Sequence, residues 1–217
     1  MTDDRPTPSQ ILPPEAIEAL FTDGEGRFLC ARWGRPLAPV VFGVQEDSIA
    51  AIKGAFEALC SLCGHQMSET DPELGANLMI FFMRDWGELL DLPDLDRMIG
   101  EVAPLVSRLH KTKATQYRMF RFDAQGAIKA CFVFLRMDTA LMAMPAQSLA
   151  LAQGVEAMLS WASGAFAKQS PLASLPNGDL VLRPDIAALM RAAYSPNLPD
   201  CAVDHSHALR LYARCAK

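Results

Sequence analysis

The sequence predicts an α+β domain: a mixed β-sheet with a β-hairpin, packed by helices, and a helical C-terminal third. Three observations carry this. Residues 77–83 (NLMIFFM) are almost continuously apolar, as strands covered on both faces are. Residues 116–122 and 127–137 are β-rich runs around Asp123-Ala124-Gln125-Gly126, a hairpin signature. Beyond residue 146 the apolar residues recur at helical spacing, so strands gather early and helices close the chain.

The elements follow in order. Residues 1–12 are polar, acidic and proline-rich, and are expected to be a flexible lead-in to a single domain over 13–217. Residues 14–21 have Pro14 at a first helical position and apolar residues at helical spacing. Two strands are predicted over 27–33 and 38–44, joined by a turn at Gly34, Arg35 and Pro36. Asp47 and Ser48 are candidate caps for a helix running to Cys63. Its Ile49, Ile52, Phe56, Leu59, Cys60 and Cys63 form one apolar stripe, and Gly64 is placed to stop it. A short strand at 66–70 leads to a turn at Asp71-Pro72. After the strand at 77–83, a short helix is expected at 85–90 and a longer one at 94–109. Past the hairpin, the longest helix is expected at 146–167, a loop at 171–178, and helices at 184–194 and 205–215. Phe81, Phe82, Phe132, Phe134, Trp161 and Leu189 are the expected core.

Composition narrows the function. Hydrophobic residues make up 51%, enough for one sizeable core and too many for a disordered chain. Lys and Arg number 20 against 25 Asp and Glu, a net charge of −5, which argues against bulk binding to nucleic acid or anionic membrane. No apolar run approaches the ~20 residues of a membrane helix. The start of the chain has neither the basic residues nor the apolar run of a secretory signal, so the cytoplasm is the expected location. Six cysteines in such a chain are expected to be reduced thiols.

Charge is unevenly placed. Nine acids fall between residues 69 and 101, against Arg84 and Arg97. Six bases fall between 108 and 129, against Asp123. Five of these, Lys111, Lys113, Arg118, Arg121 and Lys129, form a candidate face for a protein partner on the hairpin and its approach. The alternative is an ordinary solvated surface.

Metal chemistry has one candidate. Cys60-x-x-Cys63-x-His65 could share one zinc, with a fourth ligand from Cys201, His205, His207 or Cys215. Cys60 lies on the apolar stripe of its helix, however, where cysteine behaves as a small hydrophobe. Asp204 can cap a helix whose first turn holds both His205 and His207. No G-x-S-x-G elbow, phosphate loop, dinucleotide fingerprint or H-E-x-x-H motif occurs. No catalytic residue and no cofactor is assigned; zinc is the alternative.

Three segments together resemble a bacterial domain family of unknown function with a zincin-like, metallopeptidase-like fold. Arg32-Trp33-Gly34-Arg35-Pro36-Leu37 looks like that family's opening R-W-x-x-P-hydrophobic segment. Ala76-Asn77-Leu78 is similar to its A-N-L buried strand. Residues 182–199, with Asp185, Leu189, Tyr194, Pro196 and Leu198, look like its closing helix and exit. The resemblance spans about residues 25–200. It implies a zincin-like sheet followed by a helix bearing the zinc ligands. Here that helix, over 146–161, has no histidine, and Glu156 is its only acid. A catalytic zinc needs about three protein ligands. Family members usually carry an export signal, which this sequence does not show. The expectation is a non-catalytic binding domain on a degenerate metallopeptidase-like scaffold.

Overall fold

The computed structural model describes residues 11–215. Of the expected lead-in, only Ile11 and Leu12 fall within them, and both pack against the core. Helix α1 (Pro14–Phe21) carries Pro14 in its first turn, where an N–H would have no helical partner, and buries Ile17 and Phe21.

The main sheet has four strands. These are β2 (Pro39–Phe42), β3 (Leu78–Met83), β4 (Gln116–Phe122) and β5 (Ile128–Arg136), in the order β2-β3-β5-β4. β2, β3 and β5 run parallel, and β4 pairs antiparallel with β5 as the predicted hairpin. The sheet is mixed and the class is α+β, as expected. Helix α2 (Glu46–Cys63) makes the crossover from β2 to β3 that parallel pairing requires. Its stripe from Ile52 to Cys63 is buried, and Gly64 ends it in the left-handed region at φ 63°. The expected caps are not caps: Gln45 holds that position without a side-chain bond, and Asp47 and Ser48 lie inside the first turn.

Alternation along the strands divides the interior in two. Leu78 and Ile80, with Cys131, Val133 and Leu135, face a large core closed by α2 and the later helices. Phe81 and Met83, with Ala130, Phe132 and Phe134, face a smaller core on the other side. That second side is covered by a 3-10 helix (Trp86–Asp91), α3 (Leu95–Ile99) and α4 (Val102–Lys111). An aromatic row crosses this face in register. Phe42 lies over Phe81 at 4.8 Å, Phe81 over Phe134 at 5.1 Å, and Tyr117 follows at 6.3 Å.

Several expected elements differ. The strand at 27–33 shrinks to β1 (Cys30–Ala31), because its partner β8 (Cys201–Ala202) is only two residues long. The short strand expected at 66–70 is a single bridge between Leu37 and Met67. The helix at 94–109 is split into α3 and α4 at Gly100, whose φ of 89° no helix accommodates. After α5 (Thr139–Met142), α6 (Ala146–Met158) stops well short of residue 167. Leu159 turns extended there and bridges to Arg32, so α2 is the longest helix. The loop at 171–178 belongs to a small hairpin of β6 (Leu172–Ser174) and β7 (Leu180–Leu182). Helix α7 (Pro184–Ala193) lies where expected, and α8 (His207–Cys215) starts two residues late. Phe82 and Trp161 are half-buried; the other four expected core residues are buried.

Candidate functional site

The segments that carry the family resemblance meet in space. Arg32 donates to the Tyr194 carbonyl at 3.2 Å and the Leu198 carbonyl at 3.3 Å, pairs with Asp200 at 2.7 Å, and lies over the Tyr194 ring. Trp33 donates through Nε1 to the Ala157 carbonyl, and Tyr194 through its hydroxyl to the Met158 carbonyl. These residues clasp the end of α6 between the first strand and the exit of α7. Asn77 is fully buried and ties residues 36 and 38 to Asp71. All of these bonds are architectural.

The helix that the resemblance would equip with metal ligands is α6. Its polar side chains facing the sheet are Gln153 and Glu156. Both are bound by Arg118 of β4, at 2.6 Å each, and Gln153 also donates to Gln116 at 3.0 Å. Arg118 and Glu156 are only 14% and 18% exposed, so a shielded ion pair joins the edge strand to the helix. A carboxylate held by a bidentate-capable guanidinium is poorly placed to ligate a cation.

The five basic residues do not form one face. Arg118 points toward α6, whereas Arg121, three residues on and therefore on the opposite face, donates to the Met98 carbonyl. Lys129 sits at the bulge between β4 and β5 and pairs with Glu73. Lys111 and Lys113 are exposed at the end of α4.

The zinc candidates are also scattered. Cys60 and Cys63 are buried, and burial pushes their thiols up to about 11 and about 12. Metal binding needs thiolates, which such sites disfavour. His65 donates through Nε2 to the Arg35 carbonyl and packs its ring 5.2 Å from Tyr194. His205 bonds Glu18 of α1 at 2.7 Å, and His207 is buried beside Phe28. Among the described residues, no three His, Cys, Asp or Glu side chains converge as a metal site would require.

Burial holds His65 and His207 below the ordinary histidine value of about 6.5. Both fold neutral, so the unfolded chain takes up their protons first. Their stabilisation is complete above about pH 7 and is lost as pH falls below about 6.5 toward the folded values. Thermal unfolding from pH 8 to pH 5 is expected to show this decline, and His207→Phe to flatten it. An unfolding temperature that stays level to pH 5 in the parent chain would contradict the assignment.

The cleft that remains was not visible in the sequence. It lies at the carboxyl ends of β2, β3 and β5, where parallel sheets open crevices between strand ends and helices. Its volume is about 880 Å³. Four methionines, Met83, Met137, Met142 and Met144, line it, and Ile52 and Leu149 add aliphatic wall from α2 and α6. Ser48, Arg84 and Glu88 are its polar members. Met83 and Met137 are held side by side, because the Met137 N–H donates to the Met83 carbonyl. Met142 stays 65% exposed on α5. The available sequence signal was the density of methionine over residues 137–144, which carries no period of its own. Set against protein-family models, curated proteins and solved structures, the chain matches none of them.

Proposed function

We propose that the chain is a non-catalytic binding domain on a degenerate metallopeptidase-like scaffold, and that its occupant sits in the methionine-walled cleft. The observation that carries this is the closed polar cluster on α6. Glu156 is the only acid on that helix, Gln153 lies three residues before it, and Arg118 binds both. The three parallel strands, the antiparallel edge strand and the helix that follows support the scaffold reading. The cleft supports the binding reading, since methionine side chains are flexible and polarizable and suit adaptable apolar contacts. No helix among the described residues is long and apolar enough to cross a membrane.

Protein purified without a metal-affinity tag is expected to carry far less than one zinc per chain by elemental mass spectrometry. Its unfolding temperature is expected to be the same with and without chelator, and ester, peptide and glycoside panels to show no turnover. Stoichiometric zinc whose removal unfolds the chain would overturn the proposal and favour a site built on Cys60, Cys63 and His65.

A further inference from the structure

We infer that the occupant of the cleft is an amphipathic anion: a long-chain carboxylate whose apolar tail lies among the methionines and whose head meets Arg84. This rests on the binding reading above and gives it a ligand class. The volume, about 880 Å³, is within the ~300–1,000 Å³ typical of small-molecule sites. The walls are apolar except at Ser48, Arg84 and Glu88, so the ligand is apolar over most of its length. The three polar residues define the head.

Arg84 follows directly on β3, is exposed, and its guanidinium has no hydrogen bond or ion pair among the described residues. The chain's other cleft-facing charge is already engaged. Glu88 Oε1 accepts from the backbone N–H of Arg84 at 2.8 Å and of Asp85 at 2.9 Å, closing the capping box of the 3-10 helix. That bonding fixes the Glu88 carboxylate on the backbone and leaves the arginine as the uncommitted charge. The Ser48 hydroxyl, on α2, is a second donor lining the cleft without a partner among the described residues. An arginine without a partner recognises a carboxylate, which accepts charge-assisted hydrogen bonds. An alcohol or an alkane of the same length would fill the walls and leave Arg84 unmatched. Met142, largely exposed at this cleft, is the apolar group whose burial the ligand would complete.

The test is calorimetric titration of the full chain with laurate and with dodecanol, both below their aggregation limits. Laurate is expected to bind saturably at one per chain and about tenfold more tightly than dodecanol, the size of one charge-assisted bond. Arg84→Gln, at an exposed position, is expected to remove that difference while leaving dodecanol binding unchanged. Met142→Glu, also exposed, is expected to weaken laurate more than dodecanol. Equal affinity for laurate and dodecanol would overturn the carboxylate inference and leave the cleft reading standing. So would an unchanged preference in Arg84→Gln. Binding of neither probe would overturn both.

Discussion

Phe134→Ala is expected to destabilise the fold by about 3–5 kcal/mol, the range for removing a fully buried phenylalanine. Phe134 has no exposed surface and sits on β5, between Phe81 of β3 and Tyr117 of β4, with Phe132 also in contact. Its ring is therefore the centre of the aromatic row that crosses the sheet. Truncation opens a cavity walled by strands on both sides, where backbone pairing prevents collapse. The same change at the end of the row gives the internal control. Phe42 is 45% exposed, so Phe42→Ala is expected to cost under about 1.5 kcal/mol. Urea unfolding of both variants reads the difference. Equal losses would mean that the row is not graded from centre to edge, and the packing of the second core would need revision.

Asn77→Ala is expected to cost a comparable ~3–5 kcal/mol for a different reason. The side chain is fully buried and makes three bonds. Oδ1 accepts from the Ala38 N–H at 2.8 Å, and Nδ2 donates to the Pro36 carbonyl at 2.8 Å and to Asp71 at 2.9 Å. Alanine would leave the buried Ala38 N–H without a partner and take one donor each from the Pro36 carbonyl and from Asp71, which keeps Arg35 and the Glu73 and Leu74 N–H groups; each loss costs ~1–3 kcal/mol and they are not fully additive. Asp71 is the sensitive member. Burial pushes its carboxyl up, but the Leu74 N–H, the Asn77 amide, the Glu73 N–H and the Arg35 charge outweigh this and hold it below the usual carboxylate range. Asn77→Asp separates shape from donor. It keeps the volume but sets two carboxylates together, so its deficit against the parent chain should shrink as pH falls and one of them takes a proton. A deficit that is constant from pH 7 to pH 4 would show that the amide donor to Asp71 is not the important bond.

These two positions also show what a sequence can disclose. The run at 77–83 is apolar without alternation because β3 is covered on both faces, and that pattern is a local property. The hairpin was legible from its loop, and α2 from its stripe and from Gly64, since turn chemistry and helical period are written over short distances. The strand at 27–33 and the helix at 146–167 failed together. The helix ends where Leu159 turns extended to bridge Arg32, and the strand is short because its partner β8 has two residues; in both cases the partners lie far apart in the chain. The small hairpin of β6 and β7 was missed because its three-residue strands are too short to show a period.

The candidate site divides in the same way. The sequence by itself determined the α+β class, the buried core strand, the hairpin, and the absence of histidine from the helix after it. Only the tertiary structure decided what the side chains do. Arg118 was legible as a base in a basic stretch, but its pairing with Glu156 depends on β4 lying over α6. Cys60 and Cys63 were legible as a ligand spacing, but the distance to His205 and His207 depends on where α8 packs. The cleft depends on three strand ends and two helix starts meeting at one place. Residue type and period are carried by neighbours in sequence, whereas a site is made by groups that only folding brings within bonding distance.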